Sequence, residues 1–570
     1  MAKAEASVEE LVGMIKRGEL RLPEMQRRYV WRSTRVRDLL DSLYRGYPSG
    51  AILLWETDEH VPLQDFAVAQ DESSFQNTRL LLDGQQRLTS LSAVIRGEPV
   101  SVRGRKKPIE LLFNLDHPEE LTVVTEVDDQ LDDDNEEDDD LIEDEADSSE
   151  SELERRFNQM TFVVATKKLE QLPQWVKVSE VYKADADAPF LERAGVEKVS
   201  DPRYTKYSQR LARLRGIRKY MYRMDVLERG LSYDEVTEIF VRVNSLGAKL
   251  RSSDLALAQI TAKWRNSLKS FQEFQHTCAK AGYDLDLGLH LKNLVVFATG
   301  QSRFLTVGRI PLDKLQSSWK ECCQGMEFAM NFLKSNVGMV SPVLMSSPYL
   351  MVTIAYFGHM RKYKLTKDES YGLRYWALAS NAKGRYSRGS SESILDQDLA
   401  IIRQGSGTKE LIDRLRLQFG RLDITAEELE GRNMRSALFK TMFLAFRAAG
   451  ATDWNSALAI SLEHHGTQHS LQFHHIFPKA VLKRKLRTAR EADDIANLAF
   501  IGGKTNRTIS NKAPVDYLPA FIEKAGRRAF EAQCIPTEAK ILALDSYDEF
   551  LVVRRKRIAD ALNSFLGNSP

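Results

Sequence analysis

An α+β multidomain protein is the fold class this sequence predicts, and three patterns predict it. The first 265 residues mix short apolar runs bounded by turn residues with amphipathic helical stretches. From about 285 to 450 the apolar residues recur at helical spacing, with few strand candidates. From 470 onward short strand-like runs, glycine-containing turns and dense Lys and Arg take over. Three domains are expected, at 1–265, 266–430 and 431–570, which suits a chain of 570 residues.

Taken in order, the opening MAKAEASVEELVGMIKRGEL reads as an amphipathic helix, strongest over 8–17, without the apolar core of a signal peptide. RLPEMQRRYVW (21–31) is expected to be extended, with a loop at Pro23. Thr34–Arg45 places Val36, Leu39, Leu40 and Leu43 on one helical face. AILLWE (51–56), TRLLLDG (78–84) and IELLFNL (109–115) read as buried strands, and QQRLTSLSAVIRG (85–97) as a helix stopped by Gly97. RFNQMTFVVA (156–165) resumes strand character; helices follow at 233–247, ending on Gly247, and at 252–264, begun by Ser253 and Asp254.

Composition is that of a globular chain, at 43% hydrophobic and 28% charged, and no apolar run is long enough to span a membrane. Cys278, Cys322, Cys323 and Cys534 have neither zinc-site spacing nor a disulfide framework, which predicts a reducing, cytoplasmic setting. The formal net charge of +1 hides an asymmetry. Residues 126–154 carry 18 acidic side chains and no Lys or Arg. Taking that −18 from the formal +1 leaves +19 on the other 541 residues. The tract is expected to be disordered, serving either as a solvated loop or as a nucleic-acid mimic lying on the basic body. A basic body suits a phosphate backbone, because neutralising phosphates releases condensed counterions.

The strongest chemical signal is LQFHHIFPKAVLKRKLRTAREADDIANLAFIGGKTNRTISNKAP (471–514). His474 and His475 precede Ile476-Phe477-Pro478, and Asn497 and Asn506 follow His475 by 22 and 31 positions. Phosphodiester hydrolysis needs a base working near neutral pH and a cation beside the developing charge. An imidazole is suited to be that base, and a second imidazole with a carboxamide offers one nitrogen and one oxygen to a divalent ion. The segment resembles the ββα-metal fold of HNH nucleases. That resemblance implies His475 and Asn497 as catalytic residues, Asn497 pinning the loop, and His474 and Asn506 as metal ligands. Many HNH members carry an acidic residue at the position of His474; a His ligand admits softer ions beside the expected Mg2+ or Mn2+. Nine Lys or Arg against three acidic residues lie between Lys479 and Lys512. Lys479, Lys504, Arg507, Arg554 and Arg555 are candidate DNA contacts, although 554–557 reads equally well as a solvated helix face.

Three further boxes stand in the first half: LPEMQRRYVW (22–31), LLDGQQRLTSL (81–91) and FVRVNSLGAKLRSSDLALAQI (240–260). A strand handing over to a helix at Asp83-Gly84-Gln85-Gln86-Arg87 can hold an anion on backbone N–H groups, with Arg27 and Arg87 as phosphate clamps; a capped helix with a surface Arg explains the loop equally well. Together the boxes closely resemble the N-terminal domain of GmrSD-type, modification-dependent (type IV) restriction endonucleases, a domain similar to the ParB/sulfiredoxin fold. The resemblance covers about 1–260 and 430–550. It implies a DNA-sensing α/β domain that binds and hydrolyses a nucleoside triphosphate, a mostly α-helical middle and a C-terminal HNH nuclease acting on modified phage DNA. The nucleotide pocket it implies is Gln26, Arg27, Asp83, Gly84, Gln85, Gln86 and Arg87, with Arg242 and Asn244 supporting. No Walker A loop is present. Tyr29, Trp31 and Trp55 are candidates for an aromatic base-holding cage. GRYSRGSSESILDQD (384–398) also looks like a family segment, without a role legible in its residues. Two alternatives stay open: a ParB-like nucleotide-dependent DNA-binding regulator with a non-catalytic HNH module, and an RNA-directed HNH nuclease. Two nicking centres are needed for a double-strand break, so a homodimer is expected.

Overall fold

The computed structural model describes residues 2–26, 29–71, 78–98, 110–118, 157–246, 251–387, 389–485 and 487–567. The acidic tract, Arg27 and Gly247 lie outside the described residues, as does the side chain of Asn244. The chain divides after Leu268 into two compact units. No helix among the described residues is long and apolar enough to cross a membrane.

The first unit is built on a six-stranded mixed sheet of β1 (Ala2–Ser7), β2 (Leu20–Pro23), β3 (Ile52–Thr57), β4 (Leu63–Gln64), β5 (Thr78–Asp83) and β9 (Met221–Leu227), in the order β1-β9-β3-β5-β2-β4. Three shorter strands, β6 (Leu111–Asn114), β7 (Phe162–Val164) and β8 (Trp175–Lys177), form a second, antiparallel sheet. Residues 2–7, expected to be helical, are a strand instead. AKAEAS also alternates with period two, and pairing with β9 from Ala2↔Val226 to Ser7↔Met221 captures it. Ser7 then caps α1 (Val8–Lys16) in a reciprocal box with Glu10.

Strand alternation puts apolar side chains on both faces of the larger sheet. Leu54 and Leu81 join one core with Leu11 and Ile15 of α1, Leu39 and Leu43 of α2 (Ser33–Arg45), and Leu88 and Leu91 of α3 (Gln85–Arg96). Trp55, Leu80 and Leu82 point the other way, to Tyr233, Val236 and Phe240 of α4 (Tyr233–Leu246) and Ala258 of α5 (Ser252–Lys263). Tyr29 and Trp55 are buried in these cores, so neither presents a free ring to a base.

The second unit is mainly helical. Its centre is α6 (Tyr349–Met360), buried along almost its whole length, against α7 (Lys367–Lys383). Both α8 (Ala437–Ala448) and the last helix, α9 (Tyr547–Gly567), pack on α7. Residues 269–430 and 431–570 therefore share one unit rather than parting at 430. Polar pairs also cross that position. Asn381 donates to Thr441 Oγ1 at 3.2 Å, and Lys440 Nζ to the Met345 carbonyl at 3.0 Å.

The 384–398 segment acquires a structural role here. Arg385 and Asp398 are 1% and 0% exposed and form a two-pronged ion pair, with Nε to Oδ2 at 2.7 Å. Tyr386 donates to the same Asp398 oxygen at 2.7 Å, and Arg385 Nη1 reaches Gln418 Oε1 at 2.7 Å. The network fastens the loop after α7 to the two helices that follow.

Candidate active site

The segment 471–509 folds as two strands and a helix. β10 (Leu471–His475) pairs antiparallel with β11 (Leu498–Gly502), register His474↔Ala499 and His475↔Leu498, and helix Gly503–Ile509 follows at once. Gly503 is required by a close approach. A Cβ there would lie 2.3 Å from the Thr467 carbonyl, because residues 467–470 cross the helix start and accept hydrogen bonds from Gly503 and Lys504 at 3.1 and 2.9 Å. Buried Asp453 secures the same turn, accepting from Gly502 N–H at 2.7 Å and Thr505 Oγ1 at 2.9 Å; those hydrogen bonds hold its carboxyl below the usual range against the opposing effect of burial.

His474 is buried between Trp454 and Tyr517, edge-on to both rings. Burial pulls its pKa down to about 4, so the ring is neutral at physiological pH. The Tyr517 hydroxyl donates to the Ile476 carbonyl at 3.0 Å, so its oxygen is left to accept from His474 Nε2–H at 3.1 Å. That tautomer leaves Nδ1 as a lone pair, 2.9 Å from Asn506 Oδ1. A turned carboxamide satisfies Nδ1 with its N–H; in the orientation shown, the two lone-pair atoms would be available to a cation.

His475, the next residue, is partly open to solvent. Its Nε2 lies 2.8 Å from Asp493 Oδ1, and Lys479 Nζ lies 2.9 Å from the same oxygen. Burial lowers the His475 pKa, and Asp493 acts in the opposite direction. No hydrogen bond among the described residues engages its Nδ1, which is therefore placed to take a proton. Asn497 is wholly buried. Its Oδ1 accepts from Phe477 N–H at 2.8 Å, and its Nδ2 donates to the Phe477 and Ala492 carbonyls at 3.0 and 2.9 Å. It touches the chain around His475 rather than the reacting space. Asp493, Tyr517 and Asp453 carry no mark in the sequence: Asp453 and Tyr517 fall outside the motif segment on either side, and Asp493 is one of two neighbouring aspartates with no local feature to separate them.

Lys479, Lys504 and Arg507 are exposed around this centre, Arg507 also donating to the Thr467 carbonyl at 2.9 Å. Arg554 is not a DNA contact. It is 0% exposed, its guanidinium donates to the Ala496, Leu498 and Gln533 carbonyls at 2.7, 2.8 and 3.1 Å, and burial lowers its pKa to about 10. Arg555 is largely covered and pairs with Asp494 at 2.6 Å. Arg554→Met is expected to cost about 3 kcal/mol in urea unfolding, because three buried carbonyls lose their donor. It is expected to leave the salt dependence of DNA binding unchanged, whereas Lys504→Ala lowers the log–log slope by about 1. A lowered slope for Arg554→Met would return it to the DNA surface.

In the first unit, Gly84 sits at φ 98°, where a Cβ would meet Ile52 Cδ1 at 2.4 Å, and opens α3. The surrounding side chains serve the protein itself. Arg87 grips the Ser49 and Ala51 carbonyls, the latter at 2.7 Å, and pairs with Asp83 at 3.0 Å. Gln26 Nε2 donates to the Leu81 carbonyl at 3.1 Å, and Gln86 Oε1 accepts from Val30 and Trp31 N–H at 2.8 and 3.2 Å. Gln85 is buried, with an Oε1 that no hydrogen bond reaches among the described residues. The Arg87 fork is thus filled by the loop at 49–51 rather than open to a phosphate. Arg242 lies on the exposed face of α4, paired with Glu238 at 2.7 Å.

Two comparisons bear on this arrangement. Over 542 residues the chain is 23% identical to an uncharacterized protein of Methanocaldococcus jannaschii, a match covering 90% of this chain and 86% of that protein. Residues 8–261 match the family model described as GmrSD restriction endonuclease, N-terminal domain. The first unit of this chain is therefore similar, over almost all its length, to the N-terminal domain of the GmrSD restriction endonucleases.

Proposed function

We propose that this chain is a divalent-metal-dependent DNA endonuclease of a modification-dependent restriction system, cutting with an HNH-type centre in its second unit. The observation that carries the reading is the 2.9 Å approach of His474 Nδ1 and Asn506 Oδ1 at the end of a strand pair whose next residue is His475. The likeness of residues 8–261 to a restriction endonuclease domain supports DNA as substrate and defence as context.

The donor set, one imidazole nitrogen and one carboxamide oxygen, admits Mg2+ and Mn2+ beside softer divalent ions. Adjacent ligands of an octahedral ion bound at about 2.1 Å stand roughly 3.0 Å apart, close to the separation of this pair. Among the described residues no group of three or more His, Cys, Asp or Glu could cage a metal. His474 and Asn506 would therefore hold Mg2+ or Mn2+ as two protein ligands, with water and phosphate oxygens as the rest, the usual manner of Mg2+. When bound, the ion stabilises charge developing on the phosphate and the leaving oxygen. The remaining work belongs to the chain. Tyr517 fixes the tautomer of His474, His475 Nδ1 accepts a proton from the attacking water, and Asn497 holds Ile476 and Phe477 so that His475 stays at the strand end. Lys479, Lys504 and Arg507 position the backbone without reading sequence. A nucleoside triphosphate is assigned to the first unit as regulator, shifting the balance between restrained and cutting states. Its seat would involve the Asp83–Arg87 turn, where Arg87 would have to exchange backbone carbonyls for phosphate.

The test is digestion of supercoiled plasmid and of phage genomes with differently modified bases, with Mg2+ or Mn2+, with and without each triphosphate. Cleavage that requires the ion, stops with EDTA and favours a modified genome is the expected result. Absence of nicking on every DNA, with either ion, overturns the reading.

A further inference from the structure

Asp493 is placed with a specificity that the reaction outlined above does not use. It lies between two anchored neighbours. Ala492 is tied through its carbonyl to Asn497 Nδ2 at 2.9 Å. Asp494 is fixed by three contacts, accepting from Ala496 N–H at 2.9 Å, Gly431 N–H at 3.0 Å and Arg555 at 2.6 Å. The backbone on both sides of Asp493 is thus immobilised by buried groups, and its carboxylate is delivered to His475 Nε2 at 2.8 Å. The Asn497 that clamps Ala492 also clamps Phe477, two residues beyond His475, so one buried carboxamide sets both ends of the His475–Asp493 contact.

We propose that Asp493 is the positioning residue of the base: it fixes His475 with the proton on Nε2 and the lone pair on Nδ1, and stabilises the imidazolium formed when water gives up its proton. The inference rests on the reading of His475 as base. A carboxylate accepting Nε2–H admits one neutral tautomer, because the alternative would set a ring lone pair against a carboxylate oxygen. The proton gained at Nδ1 leaves the ring cationic beside Asp493, an ion pair formed only as the reaction proceeds, and such interactions raise kcat rather than tighten substrate binding. Lys479 Nζ shares the same carboxylate oxygen at 2.9 Å, so Asp493 also holds a cation next to the base. With half its surface exposed, that ammonium is open to a DNA phosphate.

Single-turnover nicking at saturating Mn2+ and enzyme excess tests this, with Asp493→Ala, Asp493→Asn, His475→Ala and the double variant His475→Ala/Asp493→Ala. Asp493→Ala is expected to lower the single-turnover rate constant by on the order of 10–100-fold, as removal of a group that orients a functional imidazole does elsewhere, with DNA affinity held within about twofold. Asp493→Asn is expected to lose the same order, since a carboxamide has no charge for the imidazolium, and it takes over should the alanine variant not fold. Added formate is expected to restore part of the Asp493→Ala rate, which a purely structural role would not allow. Adding Asp493→Ala to His475→Ala is expected to cost nothing further, because the carboxylate acts through the ring. Parent-like cutting by both Asp493 variants, or an equal loss with and without His475, overturns the proposal. If His475→Ala itself cuts like the parent, the site reading fails as well; an inactive His475→Ala beside active Asp493 variants sinks this inference alone.

Discussion

His475→Ala is expected to slow DNA nicking by about 10²- to 10⁴-fold, the range a positioned general base contributes, while thermal unfolding stays close to that of the parent. The ring's open Nδ1 suits this role. Burial shifts its pKa downward while Asp493 acts the other way, and its Nδ1 meets no protein donor among the described residues. The substitution removes one hydrogen bond, to a carboxylate that retains Lys479 as partner. The fold is therefore expected to survive, and activity alone to fall. The assay is single-turnover cleavage of supercoiled plasmid with Mg2+ or Mn2+, with circular dichroism on the same samples. A variant that cuts at the parent rate places the chemistry elsewhere.

Asp398→Ala is expected to destabilise the second unit by about 3–5 kcal/mol, the cost of stripping one partner from a buried ion pair. The guanidinium of Arg385 would stay inside without its counter-charge, and Tyr386 would lose its acceptor. Urea unfolding followed by tryptophan fluorescence measures this, since Trp376 and Trp454 are buried in that unit. A double variant replacing both Arg385 and Asp398 with Met should recover much of the loss, because apolar groups of similar size replace such pairs at little cost. If Asp398→Ala unfolds at the parent midpoint, the network contributes nothing to stability.

The candidate centre was legible because its chemistry is written locally. His474, His475, Asn497 and Asn506 lie within a short stretch, and one strand pair with its following helix brings His474 and Asn506 together. What escaped the sequence depended on long-range packing. Asp453 and Tyr517 reach the site from segments with no motif of their own. The Arg554–Arg557 run looked like a charged face, yet Leu551, Ile558 and Leu562 line one side of α9 at helical spacing and carry Arg554 inward with them. The Asp-Gly-Gln-Gln-Arg turn was correctly placed between strand and helix, but its side chains hold the fold, and nothing in the loop's residues distinguishes gripping a backbone carbonyl from gripping a phosphate. At the N-terminus a six-residue stretch compatible with helix or strand became a strand because an edge was available to pair with it.

The two donors facing one another across 2.9 Å are supported from different directions. His474 belongs to the β10–β11 strand pair, whereas the helix bearing Asn506 stands on Asp453 and on the crossing at 467–470, where Gly503 leaves no clearance. Lifting that crossing would open the jaw without altering either tooth. Loosening that surface loop is thus expected to part the two side chains while the strand pair stays intact.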